Sequence, residues 1–323
     1  PYWPVMMLQF FMGVVYFYGG LAKINPDWLQ AMPLKMWMDY KKHYFLIGPL
    51  ISQDWVAWLM AYGGLLLDLS VVFFLLFKRT RLWALGFVLF FHLTNTLIFQ
   101  IGIFPWLSIA LSLLFFEPNL PRQWVQGLRG RFKRVERWAE RWQAKVAATE
   151  ASNIEDLWQY QYTYRKWIQW CLALLVLFHT SYPLRHHFIP GNVTWTEEGH
   201  RFSWRMMLRS KRGAGSFKVV DPAREEQFKI RINDYLNSDQ TRKMWTHPDM
   251  ILQFAHFLEK KFREEGHEDI EVYADVRVSL NGRKHQKYID PAVDLTAVQW
   301  SWFRHADWIL PFEHAPLPDL SSK

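Results

Sequence analysis

Cysteine is almost absent from this sequence of 323 residues, in which Cys171 is the single thiol. One thiol excludes a disulfide framework within the chain and any zinc or iron–sulfur site built from several cysteines. The sequence also lacks a P-loop and the GxGxxG, GxSxG and HExxH motifs, so the signatures of the common soluble enzyme classes are missing. Its histidines, among them His186 and His187, have no carboxylates or cysteines at ligand spacing, and we predict no metal site.

Charged residues are nearly absent from five apolar runs, and this feature sets the class of the protein. A helix of ~20 apolar residues crosses the ~30 Å hydrocarbon core of a bilayer. Buried helices of a soluble core are the alternative, but several such runs in one chain argue against it. The runs are residues 4–22, 56–77, 82–99, 101–116 and 167–182. The fourth is shorter than the others and fits either a tilted span or a re-entrant helix.

The composition differs between the two ends of the chain. Half of all residues are hydrophobic and 18% are aromatic, which excludes intrinsic disorder. The mean hydropathy of −0.12 averages an apolar N-terminal part and a polar C-terminal part. We therefore predict a membrane α-helical bundle followed by an extracytoplasmic α+β domain. The predicted segments are a transmembrane helical core at 1–116, a cytoplasmic basic amphipathic loop at 117–166, a last transmembrane helix at 167–186 and the α+β domain at 187–323.

Basic residues predict the orientation of the spans. Lys78, Arg79 and Arg81 lie between the second and third apolar runs, and a second group of arginines and lysines fills 122–166. Because cationic loops remain on the cytoplasmic side, both groups are expected there. The last span then carries everything after Arg185 to the outside. We expect a multi-pass integral membrane protein whose C-terminal domain is periplasmic or extracellular, or lumenal in an animal-type source.

Residues 120–147 combine aromatic and basic side chains. Trp124, Leu128 and Phe132 recur at helical spacing against a face rich in arginine and lysine. Such an amphipathic helix binds the anionic cytoplasmic surface of a bilayer. Basic residues with interleaved aromatics also occur in nucleic-acid-binding proteins. The neighbouring spans favour lipid over nucleic acid. We therefore expect the net charge of +8 to serve binding to the bilayer, which is the predicted partner, and we expect no nucleic acid.

The C-terminal part has the patterns of a mixed α+β domain. The predicted strands are residues 217–220, 228–232, 270–280 and 285–289. Asn281-Gly282 predicts a two-residue hairpin turn before the last of them. A helix is predicted over 246–265, with Thr246 as its cap and Pro248 near its start.

Lys23 ends an apolar run that contains two adjacent glycines, Gly19 and Gly20. One possibility is that Lys23 snorkels at the membrane boundary, the ordinary arrangement of a lysine there. The glycines favour another, because small residues let helices pack closely and would seat Lys23 inside the bundle. Desolvation there favours the neutral amine, which can act as a general base.

Other polar residues occur at bilayer depth and beside the membrane. Asp68, His92 and Asn95 lie within apolar runs, where either a packing network between helices or a pocket for a polar ring ligand explains them. Beyond the last span, the stretch TWTEEGHRFSWRMM is either a packed domain entry at the membrane interface or a recognition surface at the mouth of the bundle. Its aromatic and polar residues are Trp195, His200, Phe202, Ser203 and Trp204.

Several blocks of the sequence carry a family resemblance, with their order preserved. The membrane blocks are YFYGGLAKINPDWL, YGGLLLDLSVVFFLLF and FHLTNTLIFQIGIFPWL. The later blocks are FIPGNVTWTEEGHRFSWRMMLRS, THPDMILQFAHFLEKKF, VYADVRVSLNGR and YIDPAVDL. Together they cover most of the chain and resemble the vitamin K-dependent gamma-carboxylases, whose bacterial relatives share the same transmembrane module.

The resemblance implies a reaction in two parts. A lysine base deprotonates vitamin K hydroquinone, whose oxidation by O2 to the epoxide generates a strong base. That base removes a γ-proton from a glutamyl side chain, and CO2 adds to the carbanion. The resemblance thus implies a glutamate-containing protein or peptide as partner, reduced vitamin K, O2 and CO2 as co-substrates, and neither metal nor biotin.

The resemblance also assigns roles to residues of this chain. The base lysine of the family falls on Lys23. The glutamate-binding segment falls on Trp195, His200, Ser203 and Trp204, with His200 in place of the tyrosine usual in the animal enzymes. The helices that would line the quinone pocket carry Asp68, His92, Asn95 and Phe104.

Departures from the family pattern leave three functional hypotheses. The animal enzymes have more helices before this region and a β-rich segment after it, and residue 1 is a proline inside an apolar run, so we expect the chain to be short at both ends. The disulfide of the animal enzymes cannot form with Cys171 alone. The first hypothesis is a gamma-glutamyl carboxylase. The alternatives are a quinol epoxidase-like relative without protein carboxylation and a non-enzymatic membrane protein that binds quinone or lipid.

Overall fold

The computed structural model describes residues 3–45, 47–99, 101–117, 141 and 164–318. Apart from residue 141, the amphipathic helix predicted over 120–147 lies outside the described residues. The chain divides into two compact units. The first comprises Pro1–Tyr16 and Ser70–Ser181, and the second comprises Phe17–Leu69 and Tyr182–Lys323.

Long apolar helices account for most of the N-terminal part. The helices of the described residues are α1 (Trp3–Lys23), α2 (Leu34–Asp39), α3 (Gly48–Ile51), α4 (Asp54–Leu76), α5 (Arg81–Ile98), α6 (Phe104–Ser112), α7 (Arg165–Ser181), α8 (Val193–Thr196), α9 (Ser238–Met244) and α10 (Pro248–Glu264). Four of them, α1, α4, α5 and α7 with its continuation to Phe188, are long and apolar enough to cross a membrane. Their bounds agree with four of the predicted runs to within a few residues.

The faces of α5 show how these helices suit lipid. Its buried residues recur every three or four positions and include His92 and Asn95. Its outer face carries large apolar side chains, such as Trp83 at 77% exposure and Phe90 at 72%. Large apolar side chains on the outer face are the reverse of the polar outer face of a helix on the surface of a soluble protein. The outer face of α5 is therefore typical of a helix that faces hydrocarbon.

The fourth apolar run forms a shorter helix. α6 begins with Pro105 in its first turn and continues as a 3-10 helix over Leu113–Phe115. The helical stretch from Phe104 to Phe115 is roughly 18 Å long at 1.5 Å per residue, well short of a ~30 Å hydrocarbon core. Of the two predicted forms, this length favours the re-entrant helix.

The C-terminal part of the second unit is built around a four-stranded antiparallel sheet with strand order β2-β1-β3-β4. The strands are β1 (Lys211–Asp221), β2 (Glu226–Lys229), β3 (Glu271–Leu280) and β4 (Gln286–Lys287). Phe217 pairs with Ala274 and Val219 with Val272 across the two central strands. All four side chains are fully buried. The predicted α+β class is therefore confirmed.

The core of this domain lies between the sheet and α10. Ile251, Phe254, Ala255, Leu258 and Phe262 form one stripe of α10 at spacings of three and four. These residues belong to the same buried cluster as the inward-facing residues of β1 and β3. The helix is amphipathic because its opposite face carries the charged residues of KKFRE.

Two local predictions were wrong in detail. The helix predicted from Thr246 begins at Pro248, and Thr246 instead donates its hydroxyl to the carbonyl of Lys243 at 2.9 Å. Asn281 and Gly282 do adopt left-handed conformations, with φ of 51° and 79°. The turn is longer than two residues, however, because strand pairing resumes only where Val278 faces Gln286.

Leu258→Ala should lower the free energy of unfolding by about 2–5 kcal/mol, because a fully buried side chain would leave a cavity between α10 and the sheet. Lys260→Ala is the matched control on the same helix, since the Lys260 side chain is 79% exposed. Thermal unfolding of both variants in detergent measures the difference. Equal unfolding temperatures would contradict the assigned core.

Candidate functional site

A buried ionic pair lies where α1 ends. Lys23 is the last residue of α1, and its Nζ donates a hydrogen bond to Oδ2 of Asp68 on α4. The two side chains are 11% and 10% exposed. Nζ also lies 3.3 Å from the carbonyl oxygen of Gly19 and 5.4 Å from the ring centroid of Trp28. The ammonium group is therefore held by protein atoms and does not snorkel to water.

Gly20 allows the two helices to approach closely enough for this pair. A Cβ placed on Gly20 would lie 2.7 Å from Cδ2 and 3.1 Å from the backbone nitrogen of Leu69. Leu69 is the chain neighbour of Asp68, so any larger residue at position 20 would push Asp68 away from Lys23. This contact agrees with the expectation that the glycines seat Lys23 within the bundle.

The sequence analysis treated Lys23 and Asp68 separately and missed their pairing. Two ionisable groups of opposite charge in apolar surroundings are expensive alone, and pairing them lowers that cost. The contact places an amine and a carboxyl group within hydrogen-bond distance of each other. The sequence does show one residue of each charge in two different apolar runs, and this pattern could have suggested a pair. The 45 positions between Lys23 and Asp68 do not reveal that they are in contact.

The segment from Trp195 to Trp204 has an unusual backbone. Glu197, Phe202 and Trp204 adopt left-handed φ angles of 63°, 57° and 55°. Each such conformation costs of order 1 kcal/mol for a residue with a Cβ, and clusters of them occur at functional sites. A Cβ placed on Gly19 would lie 3.3 Å from Oδ2 of Asp68 and 3.8 Å from the carbonyl oxygen of Trp204. The main chain of Trp204 therefore lies beside the last turn of α1.

The other predicted substrate-binding residues have partners inside the domain. Trp195 is fully buried, and its Nε1 donates to the carbonyl of Leu310 at 2.8 Å. The hydroxyl of Ser203 donates to the carbonyl of Gly199 at 2.5 Å. Nδ1 of His200 lies 2.5 Å from the carbonyl oxygen of Glu197. These side chains shape the segment, and the main chain of Trp204 brings it beside Gly19 in the last turn of α1.

Glu197 is the centre of a buried charged cluster that the sequence analysis did not predict. Its carboxylate accepts from both Nε and Nη2 of Arg209, with Nε at 2.5 Å, and from Nζ of Lys211 at 3.1 Å. Burial alone would raise the pKa of Glu197, but the cations of Lys211 and Arg209 outweigh it and hold that pKa below its usual value. The carboxylate therefore fixes the first left-handed turn of the segment to β1.

Lys211 connects this cluster to the core. Besides Glu197, its Nζ has three acceptors within hydrogen-bond distance, the carbonyl of Trp195 at 2.6 Å, the carbonyl of Thr246 at 3.1 Å and the hydroxyl of Tyr288 at 2.9 Å, so its three N–H donors are shared among four acceptors. Burial lowers the pKa of Lys211 to about 8, although Glu197 opposes the shift. The number of acceptors around the amine identifies Lys211 as a structural crosslink of the domain.

In the first unit, the residues predicted to line a quinone pocket form a group of their own. His92 and Asn95 lie one turn apart on the buried face of α5. Nε2 of His92 lies 2.6 Å from the hydroxyl of Tyr16 on α1. Phe104 begins α6, and its ring centroid is 6.1 Å from that of His92. Tyr16 was missed by the sequence analysis, although a tyrosine in an apolar run is a visible signal.

Asp68 is the predicted pocket residue that does not belong to this group. It lies in the second unit with Lys23, whereas His92, Asn95 and Phe104 lie in the first. Among the residues that the structure describes, no group of three metal-ligating side chains occurs. The arrangement thus offers a proton-holding pair in one unit and a set of aromatic and hydrogen-bonding groups in the other.

Comparison with known protein families gives two matches. Residues 1–120 match the family model described as the HTTM domain. Residues 164–315 match the model described as the lumenal domain of vitamin K-dependent gamma-carboxylase. The first match contains α1 to α6, and the second contains α7 and the sheet domain. No solved structure matches the chain.

Gly20→Ala should destabilise the protein by about 1–3 kcal/mol, because the added methyl group overlaps Leu69 and separates α1 from α4. Gly63→Ala is the matched control on α4, since a Cβ there meets no atom within 4 Å. That control should be neutral or stabilising by up to about 1 kcal/mol, the gain in helix propensity. Thermal unfolding in detergent measures both, and equal destabilisation would refute the close approach at Gly20.

Glu197→Gln should cost about 3–5 kcal/mol of folding free energy, because it leaves Arg209 and Lys211 without their shared buried anion. Asp239→Asn is the control, since Asp239 and Arg242 form an ion pair in which both side chains are about 80% exposed. Chemical unfolding followed by tryptophan fluorescence compares the two. A Glu197→Gln variant as stable as Asp239→Asn would show that the cluster does not stabilise the domain.

Proposed function

Because this chain belongs to the vitamin K-dependent gamma-carboxylase family, we propose that it is a membrane enzyme that couples quinol oxidation to carboxylation of glutamate. Reduced vitamin K, on oxidation by O2 to the epoxide, would supply the base strong enough to remove the glutamate γ-proton, and CO2 would then add. The observation that carries the proposal is the buried Lys23–Asp68 pair beside the main chain of Trp204.

Lys23 is the proposed base. It accepts a proton at Nζ when the pair is in its neutral form, with the amine unprotonated and the proton on Asp68. Both groups are nearly excluded from water, which disfavours two separated charges and keeps water from competing as proton donor. Asp68 acts as a positioning group, since its hydrogen bond orients the amine and its carboxyl group provides a second place for the proton.

His92, Asn95 and Phe104 are the residues that we propose for binding the quinol. A hydroquinone needs hydrogen-bonding groups at its two oxygens and an apolar or aromatic contact for its ring. The buried His92 and Asn95 supply the former, and Phe104 supplies the latter. Tyr16 orients His92 through the hydrogen bond at Nε2. The apolar outer face of α5 is compatible with a membrane-soluble isoprenoid tail.

The substrate of the carboxylation step is, in this proposal, a glutamate side chain of a protein or peptide. The main chain of Trp204 lies beside Gly19, one turn before Lys23, which supports a role for the segment from Trp195 to Trp204 in presenting the substrate. Trp195, His200 and Ser203 would act by holding the shape of the segment, since Nδ1 of His200 and the hydroxyl of Ser203 are engaged within it and Nε1 of Trp195 ties it to Leu310.

The proposed topology places the sheet domain outside the cytoplasm. Lys78 and Arg79 lie in the connection between α4 and α5, which the distribution of basic residues assigns to the cytoplasm. The description of the matching C-terminal family model as a lumenal domain supports the same orientation. We retain the division into a helical core at 1–116, a cytoplasmic loop at 117–166, a last span at 167–186 and an extracytoplasmic domain at 187–323.

One observation favours a second candidate, a quinol epoxidase that does not carboxylate protein. Nε1 of Trp195, Nδ1 of His200 and the hydroxyl of Ser203 already have partners within the domain, so these atoms are not free to bind a peptide. The base Lys23 and the quinol-binding residues are common to both candidates. Incorporation of labelled CO2 into a glutamate peptide separates them.

Lys23→Ala should reduce epoxide formation from vitamin K hydroquinone by at least about 100-fold, the usual contribution of a general base. The matched control is Lys35→Ala, which removes another lysine that pairs with an aspartate, Asp54, at 3.6 Å. Epoxide is measured by chromatography on purified protein in detergent, with thermal unfolding as the test of folding. Normal turnover by a folded Lys23→Ala variant would contradict the assignment of the base.

A further inference from the structure

The last candidate span ends in a 3-10 helix that the proposed function does not use. The span comprises the 24 residues Arg165–Phe188, and Tyr182–Phe188 form the 3-10 helix. A helix of this length is roughly 36 Å long at 1.5 Å per residue, which exceeds the ~30 Å hydrocarbon core, so its terminal residues reach the lipid headgroups. Phe188, the final residue, is 85% exposed. Residues that pack on this 3-10 helix therefore lie close to the membrane interface.

The segment around Phe202 packs on this 3-10 helix. The ring centroids of Phe202 and Tyr182 are 6.1 Å apart. The guanidinium of Arg185 bridges the two stretches of chain, because it donates from Nη1 to the carbonyl of Tyr182 at 3.2 Å and from Nη2 to the carbonyl of Arg201. The contact leaves Phe202 itself exposed. An exposed aromatic side chain is thus fixed at the end of the span.

The loop around Trp302 is clamped to the same segment. Oε1 of the buried Glu198 accepts from the backbone N–H of Ala306 at 2.8 Å, and its Oε2 lies 2.7 Å from Nδ1 of His305. Cζ of Arg201 lies 5.7 Å from the ring centroid of Trp302. The sequence analysis predicted none of these contacts. They hold the loop beside the segment that packs on the 3-10 helix.

A second attachment fixes the sheet domain at the end of α1. Arg283 donates from Nη1 and Nη2 to the two carboxylate oxygens of Asp27, at 2.7 and 2.6 Å. Nδ2 of Asn281 donates to the same carboxylate at 2.7 Å. Asp27 follows Lys23, the last residue of α1, by four residues. The domain is therefore held at two places, and the exposed aromatic residues cannot move away from the 3-10 helix without breaking these contacts.

The exposed apolar residues of the sheet domain are concentrated in the segment and the loop. Among the described residues after Ile189, six large apolar residues are exposed, and five of them belong to these two stretches. The five are Phe202, Met206, Met207, Trp302 and Phe303, and the sixth is Phe257 on α10. Exposed apolar groups gathered in one region mark an interaction surface. We call Phe188, Phe202, Trp302 and Phe303 the aromatic patch.

Arginines accompany the aromatic patch. Arg201 precedes Phe202, and Arg304 follows Phe303. Both are exposed, although Arg201 also pairs with Asp249. Aromatic rings favour the headgroup level of a bilayer, and arginine side chains there extend their guanidinium groups to the phosphates. The patch also continues from the end of an apolar span, so lipid reaches it without any further component. These features favour a phospholipid surface as its partner.

We infer that the aromatic patch inserts into the headgroup layer of the leaflet at the C-terminal end of the last span. The guanidinium groups of Arg201 and Arg304 lie at the level of the phosphates. The inference concerns lipid contact alone and does not depend on the proposed reaction. Its consequence is that lipid, in addition to the protein contacts, fixes the height of the segment from Trp195 to Trp204 above the hydrocarbon core.

Spin labels on single cysteines test this surface in the full chain, with one chain in each phosphatidylcholine nanodisc. Phe303→Cys is labelled in a Cys171→Ser background, and Phe257→Cys is the matched control at an exposed phenylalanine outside the patch. The native Cys171, exposed on α7, gives the hydrocarbon reference. We expect access of a water-soluble nickel complex to be at least about five-fold lower at position 303 than at 257, as insertion by ~5–10 Å implies. Oxygen access should be higher at 303. Equal nickel access at both positions would overturn the inference.

A second measurement uses the wild-type chain, so it holds even if Phe303→Cys fails to fold. Phosphatidylcholine with a diazirine at the top of one acyl chain is activated by light in vesicles that contain the protein, and adducts are located by mass spectrometry. We expect adducts in the peptide that contains Trp302 and Phe303 and none in the peptide that contains Phe257. Absence of adducts at Trp302 and Phe303 would overturn the inference. So would protection of position 303 that occurs only in nanodiscs with two chains, because it would assign the patch to a second copy.

Discussion

The cost of placing charge in apolar surroundings governs the candidate site. Lys23 at the end of α1 is tolerated because Asp68 lies within hydrogen-bond distance of it. That distance requires α1 and α4 to be close at Gly20, where Leu69 leaves no room for a side chain. The Lys23–Asp68 contact therefore depends on Gly20, although the three residues are separated in the sequence. Transfer of a proton within such a pair removes both charges at once, so neither charge is left alone in apolar surroundings.

The cost of buried charge also governs the sheet domain. Glu197 is buried, and Arg209 and Lys211 compensate its charge. The compensation stabilises the left-handed turn that starts at Glu197, and this turn leads to Trp204. This region has more cations than anions. Among the described residues, the buried Nε of Arg205 has no hydrogen-bond partner. The charged cluster thus explains the shape of the segment beside α1.

Local patterns in the sequence predicted the elements, whereas contacts between distant residues could not be predicted. Apolar runs gave the spans because length and hydropathy are sufficient for that purpose. β-branched runs located the strands, but the prediction of a two-residue turn at Asn281 missed the longer connection to β4. The pairing of Tyr16 with His92 joins residues 76 positions apart and depends on helix rotation, which periodicity does not report. The sequence analysis missed Glu197 because its partners, Arg209 and Lys211, are brought to it only by the tertiary fold.

The bidentate contact between Asp27 and Arg283 has a mechanical consequence. Asp27 follows Lys23 by four residues, and Arg283 lies in the turn that joins β3 to β4. The two parallel hydrogen bonds therefore tie that turn to the backbone that leaves α1. Sequence changes in the connection between β3 and β4 would in this way shift the end of α1 without altering any residue of the helices.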